Sequence, residues 1–190
     1  PKIYRNLDEN FLKLEELIKK ASESEPHIIC FPEKWIYLNP FITGPEFLDS
    51  IQKERGFQYQ KAKTWAKEYS VAIISGGMYE KRENNAKPYI TSYLFDETGR
   101  ELGRQDKIHL YGLEQKIFES DKSVHVFSYQ NFKFSILICF DLNISSKLTK
   151  ICVKNGAEFI FSPTLIREDG EENWSAYLKV RALENRIPLC

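Results

Sequence analysis

Phe132-Lys133-Phe134-Ser135-Ile136-Leu137-Ile138-Cys139-Phe140-Asp141 reads as an apolar strand buried on both faces, then a thiol, then a polar loop that feeds a helix. Strands of that kind belong to layered α/β folds. A cysteine at the carboxyl end of such a strand faces the crevice where open α/β folds place their chemistry. The same pattern also describes a core cysteine, because free Cys is among the most buried residue types. The surrounding chain has to decide between the two.

Downstream, Ser145 or Ser146 can cap a helix carrying Leu148, Ile151 and Cys152 and closing at Asn155-Gly156. Phe159-Ile160-Phe161 is a short strand stopped by Pro163, and a polar loop from Arg167 to Glu172 leads to a helix from about Trp174 to Arg186. Upstream, Val124 to Phe127 pairs with the opening stretch through a turn at Tyr129-Gln130-Asn131. Tyr89 to Phe95 and Arg100 to Gln105 form a hairpin around Asp96-Glu97-Thr98-Gly99, followed by Lys107-Ile108-His109-Leu110 and a polar, irregular segment through Asp121.

Earlier still, Val71 to Ser75 is a buried strand ending at Gly76-Gly77. A glycine pair there can cradle phosphate, but no glycine-rich loop with a lysine follows, so tight packing or a bulge is the reading. Phe47, Leu48 and Ile51 start a helical pattern that Gly56 interrupts and that Ala62, Trp65, Ala66 and Tyr69 resume. His27 to Phe31 is a buried strand stopped by Pro32-Glu33, which puts Glu33, like Cys139, at a carboxyl end. The first helix, capped by Asn6 or Asp8, carries Phe11, Leu14, Leu17, Ile18 and Ala21 on one stripe. Helices alternate with strands, but hairpins supply the middle, so the expected class is a mixed, layered α/β architecture.

Composition narrows the function. The 190 residues suit one well-filled domain, with 42% hydrophobic and 14% aromatic residues to build its core. Lys+Arg and Asp+Glu are equal at 27 each, which leaves no net charge to recruit nucleic acid or an anionic membrane. No apolar run is long enough to span a bilayer, and Pro-Lys-Ile-Tyr-Arg is no signal peptide. Cys30, Cys139, Cys152 and Cys190 lie far apart, which speaks against a zinc site or a disulfide scaffold and for reduced thiols in a cytoplasmic protein. The chain opens without Met and stops as Ile187-Pro188-Leu189-Cys190 enters a strand, so both ends read as cut from something longer.

Phe31-Pro32-Glu33, Asp106-Lys107-Ile108-His109-Leu110 and Ile138-Cys139-Phe140-Asp141-Leu142 stand in the order and approximate spacing of the nitrilase, or carbon–nitrogen hydrolase, superfamily, which the chain resembles over essentially its whole length. Gly76-Gly77, Thr91-Ser92, Phe118-Glu119 and Arg181 to Asn185 match as well. The resemblance implies a four-layer α-β-β-α sandwich lacking its first strand and its C-terminal strands, that is, one hydrolase domain over residues 1–190, incomplete at both ends. It also implies a homo-oligomer acting on a small-molecule amide, carbamoyl compound or nitrile with no cofactor or metal.

Its chemistry, carried over residue by residue, makes Cys139 the nucleophile, Glu33 the general base and acid, and Lys107 the cation that favours thiolate and stabilises the oxyanion with the backbone N–H of Phe140. Glu119 takes the place of the second glutamate, beside the lysine. Cys30, Cys152 and Cys190 read as packing residues, and His109 as a structural hydrogen-bonding residue. Trp35, Tyr37, Tyr111 and Phe140 are expected near the mouth of the pocket. One departure stands out: where many members follow the nucleophile with an Asp-Leu-Arg-Phe-Pro-Glu-like run, this chain has Asp141-Leu142-Asn143-Ile144-Ser145-Ser146. That change and the short ends motivate a competing reading, a catalytically silent subunit that uses the fold for association.

Overall fold

A computed structural model describes residues 7–35, 47, 50–143 and 146–190. The described helices are α1 (Leu7–Ser22), α2 (Phe57–Glu68), α3 (Glu114–Ile117), α4 (Lys147–Lys154) and α5 (Glu171–Asn185). The strands are β1 (Ile28–Cys30), β2 (Gln52–Lys53), β3 (Ala72–Ile74), β4 (Met78–Lys81), β5 (Tyr89–Phe95), β6 (Glu101–Asp106), β7 (Val126–Tyr129), β8 (Phe132–Ile136) and β9 (Phe159–Phe161). The first six strands form one sheet and β7-β8-β9 a second.

Strand alternation sorts the side chains into layers, because successive residues point to opposite faces. Ile73, Tyr93 and Phe95 pack against Phe11, Leu14 and Ile18 of α1 and Tyr59, Ala62 and Trp65 of α2. Their neighbours Ala72, Ile74 and Leu94 turn the other way and meet Phe127, Phe134, Ile136 and Ile138 between the sheets. Leu137, alternating with Ile136 and Ile138, faces Leu148 and Cys152 of α4 and the half-buried Trp174 and Leu178 of α5. The result is helix layer, sheet, sheet, helix layer: the expected four-layer sandwich.

The large sheet is built around a broken strand. β3 and β4 both run antiparallel to β5 on the same edge, Ile73 and Ile74 opposite Phe95 and Leu94, and Met78 opposite Thr91. Ser75 carries the ladder across the interruption, donating N–H to the Tyr93 carbonyl at 2.9 Å and accepting the Tyr93 N–H on Oγ at 2.8 Å. Gly76 sits there at φ +69°, and a Cβ on it would run into the Pro32 carbonyl. On Gly77 a Cβ would come within 2.9 Å of Glu33 Cγ. The glycine pair is a close-approach site for the Pro32-Glu33 turn, in keeping with the packing reading.

Two elements differ from expectation. Phe47 and Ser50 are helical, and Leu48 falls outside the described residues. The pattern does not continue through Gly56, because Gln52–Lys53 instead pair in parallel with Glu80 and Lys81, and Gly56 becomes the N-cap of α2. β4 escapes a hydrophobic-pattern reading because Glu80 is a buried carboxylate, satisfied by Arg82 two residues on and, across the fold, by the Tyr93 hydroxyl and the Arg55 N–H. The last residues do enter the second sheet: Ile160 donates to the Pro188 carbonyl at 3.0 Å, and Ser162 to that of Cys190 at 2.7 Å.

Candidate active site

Carboxyl ends of β1, β6 and β8 converge at one edge of the sandwich. Glu33 lies in the turn after β1, whose exit is pinned by the Phe31 N–H to the Ile74 carbonyl at 2.9 Å and the Lys34 N–H to that of Gly77 at 3.2 Å. Lys107 follows β6 directly, its N–H donating to the Ile90 carbonyl at 2.8 Å. Cys139 opens a single 3-10 turn, Cys139–Asp141, beyond β8, its N–H donating to the Pro163 carbonyl at 3.0 Å.

A buried carboxylate holds the last two segments together. Asp141 accepts the backbone N–H groups of Ile108 at 3.1 Å and His109 at 2.6 Å on Oδ1, and that of Ile138 at 2.9 Å on Oδ2. It thereby ties the lysine segment to the cysteine turn. Burial pushes its carboxyl up to about 7, against the pull of these N–H groups and of Lys107.

The side chains form a line of alternating charge. Lys107 Nζ donates to Glu33 Oε1 at 2.8 Å and to Glu114 Oε2 at 2.9 Å, with the Lys107 and Glu33 side chains each 1% exposed. Burial works against the Lys107 ammonium, but Glu33, Glu114 and Cys139 outweigh it and hold its pKa above the usual lysine value. Glu114 is held below the usual carboxylate range; burial opposes this, and Lys107 and Lys34 prevail.

The Cys139 thiol donates to the Leu165 carbonyl at 3.8 Å and feels the charge of the Glu33 carboxylate. Burial and then the Glu33 charge push its pKa well above the ordinary thiol value, and Lys107 offsets only part of that. Lys107 does pull towards the thiolate, as expected of it, but burial and Glu33 outweigh that pull. Cys139 sits at φ +48° and Lys34 at φ +56°. Both are left-handed positions that are uncommon for side-chain-bearing residues and cluster at functional sites.

These groups open onto a cavity of about 500 Å³ that Glu33, Lys34, Lys107, Glu114 and Cys139 line on one side and residues between Leu165 and Tyr177 on the other. Tyr111 and Phe140 stand at its edge in a T-shaped pair with ring centroids 4.9 Å apart. Trp35 does not reach it: that indole is buried in the helix-facing core and donates Nε1–H to the Ser75 carbonyl at 2.7 Å. Tyr37 falls outside the described residues. Past Cys139, Arg181 of α5 donates to the carbonyls of Leu142 at 3.0 Å and Asn143 at 3.3 Å, tying this rim to that helix. Ile144 and Ser145 lie outside the described residues.

Glu33, Lys107, Cys139 and Phe140 are thus brought together, and Glu119 is not. Glu119 is exposed, and its N–H donates to the Pro88 carbonyl at 2.8 Å. The place beside the lysine belongs to Glu114, at the start of the one-turn helix α3, where Oε2 also accepts the Tyr111 N–H at 2.9 Å. The signal for Glu114 in the sequence is faint: an acidic residue opening a helix just after a Tyr111-Gly112-Leu113 turn. Among the described residues no group of His, Cys, Asp and Glu is arranged to hold a metal ion, and no helix is long and apolar enough to cross a membrane.

Comparison with known proteins agrees on one family. The carbon-nitrogen hydrolase family profile matches residues 1–190. Among curated relatives, deaminated glutathione amidase of Dictyostelium discoideum is 24% identical over 195 residues, covering 95% of this chain and 67% of its own. Omega-amidase NIT2 of Xenopus tropicalis is 26% identical over 191 residues, covering 94% and 66%. The chain thus spans about two thirds of the length of these relatives. Among solved structures, Saccharomyces cerevisiae Nit3, of branch 10 of the nitrilase superfamily, superposes with a TM-score of 0.85 at 20% identity, over 99% of this chain and 71% of that one. An amidase from Nesterenkonia sp. superposes at 0.79 and 22% identity, over 99% and 72%.

Proposed function

The chain belongs to the carbon–nitrogen hydrolase family, and on that footing we propose that it hydrolyses a small-molecule amide through a Cys139 acyl-enzyme. The observation that carries this reading is the buried Glu33–Lys107 pair, 2.8 Å apart, set against a thiol on a left-handed turn at the cavity wall. Amidase names among the relatives support an amide over a nitrile. A cavity of about 500 Å³ that mixes charged groups with aromatic and aliphatic side chains suits a small polar molecule.

The chemistry follows from the contacts. Glu33 accepts the thiol proton as Cys139 Sγ bonds to the carbonyl carbon. Negative charge gathers on the carbonyl oxygen, where the Lys107 ammonium and the Phe140 N–H stabilise it. The C–N bond then breaks, Glu33 returns the proton to the departing nitrogen, and a thioester remains. Water attacks that thioester with Glu33 again as base, releasing the carboxylic acid and restoring the thiol. Glu114 replaces Glu119 in this scheme; it orients Lys107 and keeps it charged.

For partners, we propose self-association through α5, which leaves Tyr177, Val180 and Leu183 exposed. Light scattering at micromolar concentration checks this, and a monomer would refute it.

Cys139→Ala and Cys139→Ser test the main reading. Both are expected to abolish ammonia release from a panel of small amides while leaving the circular dichroism spectrum unchanged. Wild-type protein mixed with the same amides is expected to show an acyl adduct on Cys139 by intact mass. Turnover surviving in either variant sinks the assignment. Wild-type protein that shows neither ammonia nor adduct would instead favour the silent, associating subunit.

A further inference from the structure

Lys34 has no part in the scheme above, yet its side chain points into the same site. Its Nζ donates to Glu114 Oε1 at 2.8 Å, while Lys107 holds the other oxygen, so one carboxylate is shared by two ammonium groups. The Lys34 side chain is 17% exposed and lies over the Tyr79 ring, 5.8 Å from its centroid. Burial works against its charge, but Glu33, Tyr79 and Glu114 outweigh it and hold its pKa above the usual lysine value. Its backbone takes the left-handed φ of +56°, a conformation sustained only where the surroundings enforce it.

We propose that Lys34 is a positioning residue that keeps the nucleophile's surroundings electrically neutral, so that forming the Cys139 anion places one negative charge there and not two. This rests on Cys139 being the nucleophile. The count is direct: Glu33 and Glu114 carry two negative charges, Lys107 and Lys34 two positive ones, and the four are linked in the order Lys34, Glu114, Lys107, Glu33. Without Lys34 the cluster is left with an uncompensated carboxylate in a dry site, where charge is expensive and interactions are poorly screened. Of the other charges facing the thiol, Arg167 and Asp169 cancel, and the Asp141 carboxyl is common to every variant compared, so the comparison reads the four-membered cluster alone. Arg167 and Asp169 across the cavity pair with each other at 2.8 Å in the open, and Asp141 lies behind the cysteine, bonded to backbone N–H groups.

The test reads the thiol itself and not turnover. Cys139 in the full chain is alkylated with iodoacetamide between about pH 7 and pH 9, still below its titration, so the rate rises with the thiolate fraction. Lys34→Met, of similar length and without charge, is expected to move this pH–rate line by about one pH unit, which is about tenfold slower at any fixed pH. Lys34→Arg is expected to restore it. Glu114→Gln is expected to speed alkylation, and Lys34→Met combined with Glu114→Gln to return it near wild type, since neutrality is regained.

Simple loosening of the site would speed alkylation in the Lys34→Met variant, the opposite sign. If that variant fails to fold, Lys34→Gln replaces it in the same cycle. An unmoved or accelerated line in Lys34→Met, or a double variant that stays as slow as Lys34→Met alone, would overturn the proposal. That result would leave Cys139 as nucleophile untouched, because its own test is the ammonia release of the Cys139→Ala variant.

Discussion

Asp106 and Lys107 are neighbours in sequence, both are buried, and they anchor two networks of opposite purpose. Strand alternation sends them to opposite sides of the large sheet. On the helix-facing side, Asp106 takes Arg82 on both oxygens, at 2.8 and 2.6 Å, and the Thr91 hydroxyl at 2.6 Å. Arg82 also reaches Glu80 at 3.1 Å and lies over the Tyr89 ring, 4.1 Å from its centroid. On the other side, Lys107 joins Glu33 and Glu114 beside the thiol and the cavity. Composition does not separate the two, since each mixes carboxylates with cations. The difference is that Asp106 is saturated by protein partners, whereas the second network opens onto space that a substrate can fill and carries two left-handed residues.

The comparison can be broken from either side. Lys107→Met is expected to cost the most, lowering amide turnover by about a thousandfold as an oxyanion donor is lost. It should also destabilise the fold by about 3–5 kcal/mol, because Glu33 and Glu114 stay buried without it; ammonia release and urea unfolding measure the two. Arg82→Met strands Asp106 and Glu80 in the same way and is expected to cost about 3–5 kcal/mol in urea. The Cys139 alkylation line, however, should stay where it is. A shifted line would mean that the two networks communicate through the sheet. Least affected should be Glu119→Gln, with turnover unchanged and stability within about 0.5 kcal/mol of wild type. A loss of turnover there would bring Glu119 back into the chemistry in place of Glu114.

What could be read from the sequence follows the same physics. Glu33 and Cys139 each follow a short, strong hydrophobic run, so their shared place at strand carboxyl ends is visible before any coordinates, whereas Lys107 follows the polar run Glu101–Asp106 and is marked only by the family resemblance. The layers are legible for the same reason, since Ile73 against Ile74 and Leu137 against Ile138 are alternations that a two-faced strand must show. Glu114 was not legible: it sits on a single helical turn, too short to leave a period, and only the ammonium of a residue seven positions earlier marks it out. β4 was hidden because its buried Glu80 is satisfied by Tyr93 and Arg82, partners that pattern reading does not see. Trp35 looked like a cavity aromatic and is instead a core residue, held by the carbonyl of Ser75 across the sheet.

Gly76 and Gly77 interrupt a strand to let the Pro32-Glu33 turn settle into the gap, and that divides the cavity into parts with different freedom to change. On the floor, any side chain at those glycines would displace the Pro32-Glu33 turn, and the strand ends carrying Lys107 and Cys139 are locked to each other through Asp141. The facing wall comes from the segment between Leu165 and Tyr177, where Ile166, Arg167, Asp169 and Tyr177 are exposed. If the proposed chemistry holds, a library that varies that wall and spares the floor is where altered selectivity should be sought, since the two sides of the cavity come from separable stretches of chain.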